Sequence, residues 1–154
     1  YEIPKRDWSS DVCSSDLSWF EQTRDAAGAI SFREHRIMGN REEEARFGVA
    51  FSQPHALTLA DLDGDGLPDI VTGKRRWAHG PKGDVEPMAT PVNYAFLLRR
   101  DAAAPGGARY VPRLIDDASG LGTQVVAVDV NRDGVPDVLT ASKLGAFVFI
   151  ATRK

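Results

Sequence analysis

The chain has 154 residues, 42% of them hydrophobic and 27% charged, with a formal net charge of −3. These values fit one ordinary globular domain and exclude a disordered chain, and no apolar run nears the roughly 20 residues that cross a bilayer. The small net charge supplies no basic field for nucleic acid or for an anionic membrane.

Residues Arg6 to Leu17 read RDWSSDVCSSDL. The string resembles a translated sequencing-library adapter, so 1–17 is set aside from fold and function as a non-native segment. Cys13, the sole cysteine, goes with it, as does Trp8. No disulfide or thiolate metal site is then expected in 18–154. This reading leaves room for an upstream secretion signal.

From Phe20 onward the chain repeats itself. FEQTRDAAG from Phe20 matches FLLRRDAAA from Phe96, and FREHRIM from Phe32 matches YVPRLID from Tyr110. The acidic stretch NREEEARFG, Asn40 to Gly48, could be one helical turn or a charged loop, and the loop is favoured. A glycine-containing link follows, FGVAFSQ from Phe47 or LGTQ from Leu121. An apolar strand comes next, HALTLAD or VVAVD, then an aspartate-rich loop, then DIVTG or DVLTA. AFVFIATRK from Ala146 repeats the segment that begins AFLLRRD at Ala95. Short runs of Val, Ile, Leu and Phe bounded by Gly, Pro and Asp are strand signals.

The expected fold is all-β, with a period of about 70 residues and four antiparallel strands per unit, the pattern of a propeller blade with one long insertion. A complete blade is expected over 53–116, the end of one over 18–52 and the start of another over 121–154. Such units are thin and must stack to bury their faces. Phe20, Phe96 and Phe147 fall at equivalent positions and are expected in the core. His35 is expected on a sheet surface and His55 at a strand start, and no histidine pair has metal-ligand spacing.

The loops carry the chemistry. Counted from Asp61, the first places carboxylates at positions 1, 3, 5 and 9: Asp61, Asp63, Asp65 and Asp69. Leu67 at position 7 can offer its carbonyl, and Gly66 at position 6 suits a left-handed turn. The second reads Asp129, Asn131, Asp133, Val135 and Asp137, with Gly134 at position 6. Hard oxygen donors so spaced suit Ca²⁺ better than Mg²⁺, which keeps its waters and demands an octahedron. A divalent ion also offsets the repulsion among crowded carboxylates. Three alternatives stand beside this: solvated turn aspartates without a metal, paired catalytic carboxylates, and an EF-hand. The last would want an acid at position 12, where Thr72 and Thr140 stand. Asn131 removes a charge and Arg132 adds an opposing one, so weaker binding is expected at the second loop.

These residues resemble FG-GAP or VCBS-type repeats, the blade family also found in integrin α-subunit propellers, and the motif similarity extends over Ser18 to Lys154. Phe47-Gly48 supplies the FG pair, where the second copy has Leu121-Gly122. The resemblance implies a β-propeller with Ca²⁺ in the loops just numbered. It does not imply a ligand, because a fold of this kind hosts many functions.

The copies differ most after the aspartate loop. SKLG joins the strands in the second, whereas the first inserts the stretch 74–92. Long loops on rigid scaffolds concentrate function. Arg75, Arg76, Trp77, His79, Lys82 and Asp84 here could contact a sugar or an anion. The plainer reading is a hairpin extension whose Trp packs on a neighbouring blade. No nucleophile elbow, phosphate loop or dinucleotide fingerprint is present, and no catalytic residue is assigned. The expected function is a calcium-binding module of a secreted, periplasmic or cell-surface protein that binds a protein or glycan, or acts as a scaffold. The alternative is a propeller-borne carbohydrate lyase or hydrolase with 74–92 at its site.

Overall fold

A computed structural model of the chain describes residues 15–77, 80 and 82–152. Cys13, Trp8 and most of the adapter-like string lie outside the described residues. Strands β1 (Leu17–Arg24) and β2 (Ile30–Met38) form an antiparallel pair. Strands β3 (Pro54–Ala60), β4 (Asp69–Lys74), β5 (Asn93–Arg100) and β6 (Ala108–Asp116) follow as a four-stranded meander in the order β3-β4-β5-β6. Strands β7 (Val125–Val128), β8 (Asp137–Ser142) and β9 (Gly145–Phe149) form a third sheet in chain order. The fold is all-β and antiparallel, and its sheets do not close on themselves.

The sheets share two cores. Leu17, Ile37, Met38, Val49, Phe51, Ile70 and Phe96 pack between the first and second sheets, with Trp19, Tyr94 and Tyr110 against them. Ala56, Val71, Leu121, Val125 and Val138 pack between the second and third. Successive β-strand side chains point to opposite faces. Ile70 therefore serves one core and its neighbour Val71 the other, which is why every residue of β4 is buried. Leu17, the last residue of the adapter-like string, pairs with Met38 and is buried, because an apolar side chain at that register fills the first core.

Several expectations are corrected. Asn40–Gly48 is helical rather than a loop. The Asn40 side chain accepts from Glu42 N, capping a 3₁₀ turn at Arg41–Glu43, and α1 (Glu44–Phe47) continues it to Gly48, at φ 76°. The residue sequence N-R-E-E supplies both an N-cap and acids for the first turn. Phe20 is 58% exposed although Phe96 is fully buried. The two turns after these strands are alike: Asp25 Oδ1 accepts from Ala27 N and Asp101 Oδ1 from Ala103 N. What differs is that a sheet covers Phe96, whereas Phe20 and Phe32 lie on the open face of β1–β2.

The third member of the set is shifted. Phe96 pairs with Ile70 in β4, and its counterpart opposite Val138 in β8 is Phe149, not Phe147. Phe147 is half-buried and stacks on Phe149 at 6.5 Å. His35 is not a surface residue of its sheet. Its ring stacks on Trp19 at 4.3 Å, and Nε2 lies 3.0 Å from the Glu21 carboxylate. Gly106, in the turn between β5 and β6, presses on this pair at φ 70°. A Cβ there would come within 2.6 Å of the Trp19 ring, so only glycine fits. His55 is exposed in β3.

The contrast between equivalent phenylalanines is measurable. Phe96→Ala is expected to cost about 3–5 kcal/mol in urea unfolding, and Phe20→Ala no more than about 0.5 kcal/mol. Equal losses would show that both positions are packed alike.

Candidate metal centre

Each aspartate loop bridges the first two strands of a sheet, β3 to β4 and β7 to β8, and the two fold to one plan. The position-1 carboxylate gathers backbone N–H groups. Asp61 Oδ1 accepts from Gly64 N at 2.8 Å and Asp65 N at 3.0 Å, and Oδ2 from Gly66 N at 2.9 Å. Asp129 accepts from Asp133 N at 3.1 Å and Gly134 N at 2.8 Å. At position 5, Asp65 accepts from Leu67 N and Asp133 from Val135 N, each at 2.9 Å. The position-6 glycines, Gly66 and Gly134, both sit at φ 82°, in the left-handed region expected of them. Position 4 is left-handed as well: Gly64 at φ 78° in the first loop, Arg132 at φ 64° in the second.

The position-9 aspartates do something the spacing did not reveal. Asp69 is wholly buried. Its Oδ2 accepts from Leu62 N at 2.9 Å and its Oδ1 from Leu98 N at 2.8 Å. Asp137 repeats this with Val130 N at 2.9 Å and Ala151 N at 2.8 Å. Asp69 thus ties its loop to β5, and Asp137 ties its loop to the chain just past β9. Burial pushes the Asp69 carboxyl above its usual range, the two backbone donors pull it back, and Asp63 and Asp65 add to the rise.

Asp61, Asp63 and Asp65 converge. One carboxylate oxygen from each lies within 4.8 Å of the others. Oxygens on opposite sides of a Ca²⁺ with 2.3–2.6 Å bonds stand about 4.6–5.2 Å apart, so the triad has the spacing and the hard-donor chemistry for that ion. Among the described residues no second group of three acids converges in this way. In the second loop the Asn131 amide donates to Asp133 Oδ2 at 2.9 Å and occupies one of the oxygens there. Leu67 is half-buried and Val135 buried.

Arg99, on β5, was not singled out by sequence. Its Nη1 donates to Asp65 Oδ2 at 2.8 Å and its Nη2 to Asp63 Oδ2, bridging two members of the triad. The hydrogen bond to Asp63 holds the guanidinium above its ordinary range, with Asp65 and Asp69 contributing. Arg99 lies 36 residues beyond Asp63, so only the β4–β5 register brings them together.

The 74–92 insertion is pinned at both ends. Lys74, 1% exposed, donates to Ser52 Oγ at 2.5 Å and to Val85 O at 3.2 Å. The Trp77 indole N–H donates to Pro87 O at 2.9 Å, and the Arg76 guanidinium lies 5.0 Å from the Trp77 ring centre. Arg75, Arg76 and Trp77 line a cleft of about 250 Å³ with Ser142 and Lys143 of the third sheet. Asp84 is not part of this cleft and takes a hydrogen bond from Gln53 at 3.1 Å. Lys82 is exposed, and His79 lies outside the described residues.

The different jobs of the acids predict different costs. In calcium-free buffer, Asp69→Ala is expected to lower stability by about 2–4 kcal/mol, because it strands two backbone donors. Asp63→Ala removes an ion pair about one-third exposed and is expected to cost about 1 kcal/mol or less. Chemical denaturation reads both, and a cheap Asp69→Ala would refute its bridging role.

Residues 54–84, which include the first aspartate loop and the start of the insertion, match the family model of the FG-GAP repeat. The second loop lies outside that match. No curated protein and no solved structure matches the chain. FG-GAP repeats form β-propeller blades, and β3–β6 has the four-stranded antiparallel meander of one. Residues 54–84 are therefore similar to an FG-GAP repeat, set within all-β, antiparallel sheets.

Proposed function

We propose that the chain is a calcium-binding blade module of a secreted, periplasmic or cell-surface protein, serving as a binding or scaffold element. In this reading 53–116 is one complete blade, flanked by parts of two others at 18–52 and 121–154. The observation that carries it is the convergence of Asp61, Asp63 and Asp65 inside an FG-GAP match. FG-GAP repeats often bind calcium and are typical of extracellular proteins, where calcium is plentiful. Among the described residues no helix is long and apolar enough to cross a membrane.

The Asp61, Asp63 and Asp65 carboxylates would hold the ion, with the Leu67 carbonyl as a further donor. Asp129, Asn131, Asp133 and the Val135 carbonyl would make a weaker second site. Asp69 and Asp137 stand behind them and fix the loops to the sheets. An ion bound there supplies positive charge to a turn that already has its shape. Its effect is on stability: ligand at a hundredfold excess over Kd adds about 2.7 kcal/mol to the folded state. Thermal unfolding of the chain in millimolar calcium is expected to exceed that in chelator by several degrees. Superimposable melts would overturn the calcium reading.

For the partner, the cleft of Arg75, Arg76, Trp77 and Lys143 presents cations and one ring face at the seam between two sheets. This combination suits a protein acid or an acidic glycan. Arg76→Ala, which leaves the indole–Pro87 anchor intact, is expected to weaken binding to an acidic-glycan panel without moving the melt. Unchanged panel binding would remove the cleft from consideration.

A further inference from the structure

We infer that Arg99 sets the divalent-ion affinity of the first loop, as a built-in competitor for the carboxylates of Asp63 and Asp65. The inference rests on the calcium reading above and adds to it a residue outside the loop. Arg99 lies across the two acids that an ion entering the triad must also use, with Nη1 2.8 Å from Asp65 Oδ2 and Nη2 on Asp63 Oδ2. Its side chain and those of both acids are each about one-third exposed, so the pair can open to solvent.

A shaping role for Arg99 is the alternative, and the second loop decides against it. The two loops share the position-1 clasp on backbone N–H groups, the position-5 turn and the position-9 bridge to a backbone N–H in or just after the third strand. Yet the second loop has no arginine in the corresponding place. Leu98 and Ala151 make the equivalent bonds to the position-9 aspartates, so the residue after each is also equivalent: Arg99 in one, Thr152 in the other. A loop that reaches this shape beside a threonine does not need the guanidinium for shape. What Arg99 adds is charge and occupancy. In metal-free protein it offsets the repulsion between Asp63 and Asp65. When an ion arrives, its forked contacts must be given up or shared.

Removing one unit charge a few ångströms from a divalent ion, at a partly screened surface, is on the order of a tenfold gain in affinity. The test is calorimetric titration of the chain with CaCl₂, with the second loop silenced by Asp129→Asn and Asp133→Asn. Arg99→Gln on this background is expected to tighten calcium binding about tenfold and to lower the melting temperature in chelator. Arg99→Lys, which keeps charge but loses the fork, should fall between. If Arg99→Gln unfolds without metal, refolding on added calcium supports the inference, and the lysine variant supplies the affinity. Heats of equal Kd with and without Arg99, or weaker binding in the glutamine variant, overturn it while leaving the calcium reading intact. No heat in any of these chains, including the one that keeps Arg99, overturns the calcium reading and this inference together.

Discussion

A carboxylate shut away from the surface fastens each aspartate loop to its sheet. Asp69 and Asp137 are both fully buried, and each receives a backbone N–H from its own loop and another from the third strand of its sheet or the residues just after it. A buried carboxylate is costly unless its oxygens are satisfied. Here the same bonds that satisfy it also close the turn and set its distance from the sheet. The chain can therefore bring three further acids to one place, because the loop's path is fixed from below by bonds that no metal makes.

This division of labour explains how so much negative charge is tolerated at the bend. Asp61 spends its oxygens on three N–H groups of its own loop, which spreads its charge into backbone dipoles. Asp63 and Asp65 are left facing outward, and the first loop meets them with a guanidinium from β5. The second loop solves the same problem by composition. It replaces one acid with Asn131, whose amide donates to Asp133. One loop keeps its acids and adds a cation from outside, whereas the other dilutes its acids from within. The two loops thus share a backbone shape but differ in charge.

Much of this was legible in the sequence because it is local. The spacing of acids, the glycine at position 6 and the alternation that makes β4 a strand all lie within a few residues of one another. The order of strands followed from internal repetition. What escaped depends on register and on neighbours. The Arg99 contact needs β5 to pair with β4 at one particular offset. The pairing of Phe96 with Phe149 as equivalents turns on a two-residue shift that simple string matching misses. The Asn40–Phe47 helix was hidden because a single capped turn is too short to show a period.

Burial shows most clearly what the sequence could not contain. Phe20 and Phe96 follow the same pattern and precede the same turn, yet one is open to solvent and the other has none. Position within a repeat does not bury a side chain; a second sheet does, because one sheet presents two faces and can cover neither itself. Phe96 has the β1–β2 sheet against it, and Val71, on the other face of the same strands, has the third sheet. The outward faces, with Phe20, Ile30 and Phe32 on one side and Val126 and Val148 among the exposed residues of the third sheet, are the same kind of surface without the cover. Stacking, rather than any property of the individual strand, is what converts this repeat into a core. The loop bonds at Asp69 and Asp137 keep the second and third sheets in the register that stacking requires.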